Sequence, residues 1–442
     1  INARRRMPLA ALGSNNIYPK GALVLRMLLA HLGPERFWAS IHTYLNQHRF
    51  ANATTEDLRQ AVLAATGEDL DWFWAEWMYD AGHPQFAVTA AYDSVAHTLT
   101  VAVKQTQVDT AKADSTGLRY ETPSVFRMPV AIRVATAGGG GDVVQRAELT
   151  TREQTIEVPG VASAPTMVVF DDGNTILKEL TFDQPTAWLA TELERDPDLW
   201  DRQWAIEQLT ARTADTAAAA ALGRAATRSD YPVTRAAAAE ALGHFPATLA
   251  QASLVGALQD TAASVRRAAI AALGAEGGAR GALLARATFR NDGSYEVRAA
   301  ALAALVAADS TARDSAIAWG LATPSYQDVI ERAAFRIIAQ SGDTAAIPLV
   351  EARIGEHSAP HVLAALAGRG SAHALDLLTT HLEDERAYVR RWAVEAFRFT
   401  LPPQLGVPRL KAVVDTLRHP DTQRAVRDAL TQLEKTPPAG GQ

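Results

Sequence analysis

The sequence predicts a multidomain α+β chain: a mostly helical N-terminal part, a small antiparallel β-sandwich and a long C-terminal α-solenoid. Three observations predict it. Up to about residue 84, apolar residues recur at three- and four-residue steps. From Phe86 the period falls to two and turn residues crowd in. From Pro185 the composition becomes alanine-rich, and one motif returns every 31 to 33 residues. These changes place the expected domains at 1–84, 85–184 and 185–435, with 436–442 as a disordered tail. A length of 442 residues suits about three domains.

In the helical part, Tyr18 stands just before an expected helix start, and Pro19 suits the first helical position because its missing N–H costs nothing there. Leu23, Val24, Met27, Leu28 and His31/Leu32 then form one apolar stripe. This puts a phenol at the mouth of a helix, where it can donate a hydrogen bond to a polarised carbonyl. A boundary tyrosine with its ring packed and its hydroxyl wet satisfies the same spacing. Pro34 opens a second helix with Phe37, Ile41, Tyr44 and Leu45 on one face. Thr54, with Asp57 three residues on, approximates a capping box for a third, whose Leu58, Val62 and Leu63 face inward. Asp71 is placed to cap a fourth, whose Trp72, Phe73, Trp74 and Trp77 at helical spacing read as core. Gly82-His83-Pro84 ends it. So few layers are expected to complete a domain begun upstream.

In the β region Phe86, Val88, Ala90 and Tyr92 alternate with polar or small residues, as do Leu99, Val101 and Val103. Further runs follow at 125–134, 143–149, 155–158, 167–170 and 176–180. Between them lie Gly138-Gly139-Gly140-Gly141, Pro159-Gly160 and Asp171-Asp172-Gly173-Asn174, all turn chemistry. About seven short strands in under 100 residues argue for the sandwich. The four glycines lack the Lys-Ser/Thr and the strand–helix setting of a phosphate cradle, so they read as a hairpin loop.

In the solenoid an Arg is followed seven residues later by a Leu at Arg202/Leu209, Arg235/Leu242, Arg266/Leu273 and Arg298/Leu305. Weaker copies lie at Arg332–Ala339, Arg390–Phe397 and Val426–Leu433, with Val362–Gly368 a degenerate one. The period resembles a compact HEAT-like helical hairpin. The recurring Arg, near Asp198, Asp260, Asp292 or Asp384, is expected to form a ladder of ion pairs between units. A basic stripe for a ligand is the competing reading.

The segment Tyr18-x-Lys20-Gly21-Ala22-x-x-Leu25-Arg26-Met27-Leu28 resembles the tyrosine segment of the aminopeptidase N family, the gluzincin zinc aminopeptidases. The likeness runs on through Leu32-Gly33-Pro34-Glu35-Arg36-Phe37, Tyr44-Leu45, His48-Arg49-Phe50-Ala51-Asn52-Ala53-Thr54-Thr55-Glu56-Asp57-Leu58, Thr66-Gly67, Leu70-Asp71-Trp72-Phe73, Trp77 and Ala81-Gly82-His83-Pro84. The resemblance implies that Tyr18 is catalytic, steadying the oxyanion formed at the scissile carbonyl. It also implies a zinc cofactor in the full-length protein and peptide substrates. The family's H-E-x-x-H with its later Glu, and its G-x-M-E-N run, lie upstream of the tyrosine segment, and neither occurs in this sequence. The chain is therefore expected to be the C-terminal part of such an enzyme and inactive alone. Its zinc ligands are expected upstream, and no metal or cofactor is expected to bind the chain itself. A non-catalytic HEAT-repeat scaffold holding a protein partner on its concave face is the alternative.

Other candidate sites are weaker. In Glu356-His357-Ser-Ala-Pro360-His361 two histidines stand four apart, but no Glu lies between them and Pro360 is expected to disrupt the helix. His31 and Glu35 share that spacing, with Gly33-Pro34 intervening. The chain carries a net charge of −6, which gives no electrostatic case for nucleic acid or an anionic membrane. With no cysteine, disulfides and thiolate metal sites are excluded, and either cytoplasm or periplasm fits. The start, Ile1-Asn2-Ala3-Arg4-Arg5-Arg6, has no hydrophobic run behind it and reads as neither signal peptide nor anchor. No apolar stretch reaches the roughly 20 residues that span a bilayer.

Overall fold

The computed structural model describes residues 18–108, 112–113, 119–120, 122–137 and 141–434. The N-terminal 17 residues, Gly138 to Gly140 of the glycine run, and the tail expected to be disordered lie outside the described residues. The chain divides into two compact units, the first ending at Ala225 and the second beginning at Ala226.

The first unit opens with α1 (Tyr18–Leu32), α2 (Pro34–Gln47), α3 (Thr55–Thr66) and α4 (Asp71–Trp74), which widens into a π turn over Ala75–Tyr79. Gly33, at φ 77°, breaks the chain between α1 and α2, and Pro34 then sets the first turn of α2. The capping box at Thr54 is present: Asp57 accepts from the Thr54 N–H at 2.7 Å, and the Thr54 hydroxyl accepts from the Asp57 N–H. Gly67 closes α3 in the left-handed region at φ 70°.

Three expectations are corrected. Val24, Met27, Leu28 and Leu32 are buried, but Leu23, about 100° round the helix from Val24, is exposed. On α2 Ser40 is buried beside Phe37, which turns the buried face away from Leu45 and leaves Leu45 exposed. Asp71 is the first residue of α4 rather than its cap, and its N–H is taken by the Asp69 carboxylate at 2.9 Å. The tryptophan cluster is core as expected. Phe73, Trp74 and Trp77 are buried, with Trp77 lying 5.1 Å from the Phe126 ring of the β region.

The strands are β1 (Gln85–Asp93), β2 (Thr98–Gln105), β3 (Lys112–Ala113), β4 (Arg119–Tyr120), β5 (Met128–Thr136), β6 (Val143–Leu149), β7 (Glu153–Pro159), β8 (Pro165–Phe170) and β9 (Glu179–Phe182). They form sheets ordered β7-β2-β1-β9 and β6-β5-β8, with β3-β4 as a separate pair. The β1–β2 hairpin sets Val88 opposite Val103 and Tyr92 opposite Leu99. The sheets are not wholly antiparallel. β9 runs parallel to β1, with Phe86 beside Leu180, so the first sheet is mixed.

Two strands start later than the alternation suggests, because side chains take the backbone groups a ladder would need. Gln105 pairs with both the N–H and the C=O of Phe126 at 2.9 Å, so β5 begins at Met128 rather than Val125. The Asp171 carboxylate accepts from the N–H groups of Thr175 and Ile176 at 3.0 and 2.9 Å, so the last strand begins at Glu179. Helices Thr186–Arg195 and Leu199–Thr210 pack on this sandwich, where Trp188 donates to the Pro165 carbonyl at 2.8 Å.

The second unit is a run of helices, including Pro232–Leu242, Ala247–Ala257, Ala263–Glu276, Gly278–Asn291, Tyr295–Ala308, Val329–Ser341, Ser358–Gly368, Ala387–Phe399 and Pro420–Leu433. Small residues let successive helices approach closely: a Cβ added at Gly274 would lie 2.5 Å from Ala304. The expected ladder is present at three positions. Arg235 grips Asp260 with two hydrogen bonds of 2.6 and 3.0 Å, and Arg266 grips Asp292 with two of 2.7 and 2.9 Å. Arg390 reaches Asp421 at 2.9 Å. Each partner lies in the following repeat. Arg298 departs from the pattern, giving its Nε–H to the Phe289 carbonyl at 2.8 Å and stacking over that ring.

Candidate functional site

Tyr18 opens α1 and is 82% exposed, and its hydroxyl makes no hydrogen bond to the described residues. The helix beneath it is fixed by more than its apolar stripe. The Arg26 guanidinium donates to the carbonyls of Gly173 and Asn174 at 2.7 and 2.8 Å. Lys20 donates to the Gly82 carbonyl at 3.0 Å, and its burial holds its pKa below the usual lysine value. The Asp171–Asn174 turn and the Gly82 carbonyl thus hold α1 at its middle and at its first turn. Among the described residues the phenol has no hydrogen-bond partner and stands on a firmly held helix, an arrangement suited to donating a hydrogen bond to an arriving carbonyl.

The other histidines near this segment are engaged elsewhere. His31 meets Glu68, not Glu35, at 2.8 Å, and Glu68 also holds Arg36 at 2.7 Å. His48 approaches Asp57 at 3.9 Å, and His83 meets Glu179 at 2.8 Å.

The structure assembles a buried charge cluster that sequence reasoning missed. Arg133 on β5 donates to Asp172 at 2.7 Å, to Asp142 at 3.2 Å and to Asp196. Asp171 beside it is fully buried and pairs with Lys178 at 2.6 Å. Burial, reinforced by the neighbouring Asp196 and Asp198 charges, pushes Asp201 up to about 8. Burial also raises Glu192 well above the carboxylate range, although Gln184 donates to it at 3.2 Å. Asp171-Asp172-Gly173-Asn174 reads as a turn in sequence, and it is one. Nothing in its spacing tells that its two carboxylates point into different ionic partners.

A second polar cluster lies in the second unit. His357, His361 and Glu395 bring one ligand-type atom each within 4.8 Å of one another. Pro360 does not disrupt the helix as expected. It sits in the first turn of Ser358–Gly368, where no N–H is needed. The two imidazoles therefore share a helix face.

Comparison with known proteins gives these positions a context. Residues 10–77 match the peptidase family M1 domain, and residues 186–274 and 225–306 match HEAT repeats. "Probable aminopeptidase 1" of Sulfurisphaera tokodaii is 40% identical over 81 residues, covering 18% of this chain and 10% of that protein. "Aminopeptidase N" of Haemophilus influenzae is 27% identical over 181 residues, covering 39% of this chain and 20% of the relative. The chain thus spans a fifth or less of these relatives' length. The crystal structure of Legionella pneumophila aminopeptidase A in complex with aspartic acid aligns with 98% of this chain and 59% of its own, at a TM-score of 0.60 and 12% identity, a likeness of fold. The chain thus has one segment similar to the peptidase family M1 domain and two similar to HEAT repeats, and resembles aminopeptidases N over part of its length. Tyr18 falls inside the matched segment.

Similarity to the peptidase family M1 domain carries an expectation of zinc, and the described residues around Tyr18 supply no site for it. Among the described residues, none of the four helices following Tyr18 contributes to a His, Asp or Glu grouping with metal-ligand spacing. Also among them, no helix is long and apolar enough to cross a membrane.

Proposed function

We propose that this chain is the C-terminal part of a zinc metalloaminopeptidase that releases N-terminal residues from peptides, with the metal ligands supplied by residues N-terminal to this sequence. In that reading Tyr18 is the catalytic contribution of this chain. Its phenol donates a hydrogen bond to the substrate carbonyl oxygen as negative charge develops there, an interaction stronger in the transition state than in the ground state. The observation that carries the proposal is Tyr18 itself: exposed, without a hydrogen bond to the described residues, on a helix held at two points, and inside the segment that matches the peptidase family M1 domain. Exposed apolar side chains at Trp38, Leu45 and Phe50 support a helical layer that other residues of a larger catalytic domain cover. We read residues 1–84 as the end of that domain, 85–184 as a sandwich bracing it, and 185–435 as a HEAT-like solenoid limiting substrate size.

The test is Tyr18→Phe in the full-length protein. The expected result is a fall in kcat of about 10²–10³-fold, the scale of losing one oxyanion donor, with zinc content unchanged. Unchanged turnover overturns the role of Tyr18. A full-length protein without zinc or peptidase activity leaves the repeats as a scaffold for a protein partner.

A further inference from the structure

We propose that His357, His361 and Glu395 form a binding site for a divalent transition metal of the zinc class. The site lies on the repeats of the second unit and is unrelated to the catalytic metal of the M1 kinship. His357 and His361 stand one turn apart at the start of helix Ser358–Gly368, with ring centroids 5.3 Å apart. Glu395 comes from the neighbouring helix Ala387–Phe399. The donor set is two imidazole nitrogens and one carboxylate oxygen, a combination that suits zinc with one coordination position left open.

The distances favour a shared ion over direct pairing. His357 Nε2 stands 3.6 Å from Glu395 Oε2, too long for a hydrogen bond. Two ligands at about 2.0–2.1 Å on one tetrahedral ion stand about 3.4 Å apart, close to that separation. The Arg391 guanidinium is 3.9 Å from the carboxylate. Glu395 therefore has a hydrogen bond to neither His357 nor Arg391 among the described residues. The three donor atoms lie within 4.8 Å of one another, so reaching the roughly 3.4 Å of a shared ion asks for a closure of at most about 1.4 Å, within the reach of side-chain rotation at a half-exposed site.

The surroundings hold the imidazoles as an outer shell does in metal sites. His361 Nδ1 is 2.6 Å from the Thr400 hydroxyl, which leaves Nε2 free to ligate. Trp392 sets its ring edge-on to His357 at 5.3 Å, fixing that imidazole against the helix of Glu395. An entry path exists: His357, His361 and Thr400 line one wall of a pocket of about 560 Å³. None of the three side chains is fully buried, and the ladder pairs run through other residues.

The test uses the 442-residue chain stripped with EDTA, titrated with zinc by calorimetry and with cobalt by visible absorption. The expected result is one metal per chain and a cobalt spectrum of a four- or five-coordinate nitrogen–oxygen site. His357→Gln, His361→Gln and Glu395→Gln each weaken zinc binding by more than the 10–100-fold typical of second-shell changes, and Thr400→Val weakens it by about tenfold. His373→Gln, an exposed histidine outside the triad, leaves it unchanged. Circular dichroism confirms that each variant is folded; should one not be, the remaining two ligand variants decide. No stoichiometric zinc, or zinc retained equally in the ligand variants, overturns the proposal.

Discussion

Two ionic systems in this chain use the same residues to opposite effect. In the ladder of the second unit, Arg235, Arg266 and Arg390 each meet one carboxylate. Arg235 holds Asp260 and Arg266 holds Asp292 with paired hydrogen bonds, and those bonds keep both aspartates below their usual pKa. In the first unit one guanidinium, that of Arg133, serves Asp172, Asp142 and Asp196 together, while Asp201 and Glu192 lie close by. Burial there outweighs pairing, and acids rise instead of falling. The stoichiometry of charge, more than the number of ion pairs, decides whether a buried carboxylate stabilises a fold at neutral pH.

The largest effect is expected from removing the hub. Arg133→Met strands three carboxylates in a site whose central side chain is 9% exposed, and the loss should be about 3–5 kcal/mol at neutral pH. Urea denaturation followed by tryptophan fluorescence, which reports the nearby Trp188 and Trp204, measures it. The deficit should shrink toward pH 4 as the stranded acids take up protons. A deficit independent of pH would mean that Arg133 acts by packing alone.

Relieving the cluster should have the opposite sign. Asp201 is raised in the folded state to about 8, from an ordinary value of 3.8, chiefly by burial. Its ionisation therefore costs nothing below the unfolded pKa, and the cost grows as pH rises from about 4 toward 8. Asp201→Asn keeps an acceptor for the Gly173 N–H, bonded at 3.3 Å, and removes the titration. The variant should match the parent at pH 4 and exceed it at pH 8 by at least about 2 kcal/mol, since each pKa unit corresponds to 1.36 kcal/mol. Equal stabilities at both pH values would break the comparison between the two systems.

What the sequence made legible follows the same division. The ladder was readable because it repeats: Arg235, Arg266 and Arg390 recur at the same place in a helix, and the Asp partners recur with them. The change of period at Phe86 and the Thr54 cap were readable because each is decided within a few residues. The Arg133 hub was not, because Asp142, Asp172 and Asp196 come from three separate segments that only the tertiary fold assembles. The same holds for Glu395, which lies 34 residues beyond His361 and joins the histidine pair through helix packing. The parallel strand β9 was hidden too, since four residues carry no record of which neighbour they will choose. The expectation for Tyr18 came from its neighbours' identities, a resemblance that helix periodicity alone does not carry.

The smallest effect should come from the ladder, and it tests the other half of the contrast. Asp292 is depressed below 3.8 chiefly by its hydrogen bonds to Arg266. Its contribution is thus fully present above the unfolded pKa and is lost as pH falls through the lower folded one, the reverse of Asp201. Arg266→Met should cost about 1–2 kcal/mol at neutral pH, because the pair is partly open to solvent, at 19% and 10% exposure of its two side chains. Asp292→Asn keeps the acceptor that caps the Ser294 N–H at 2.8 Å, so a double-mutant cycle with Arg266→Met isolates the charge pairing from the cap. The coupling should persist from pH 8 down to about 5 and fade below 4. A coupling that instead grows on acidification would place Asp292 with the crowded acids of the first unit, and the one-to-one account of the ladder would fail.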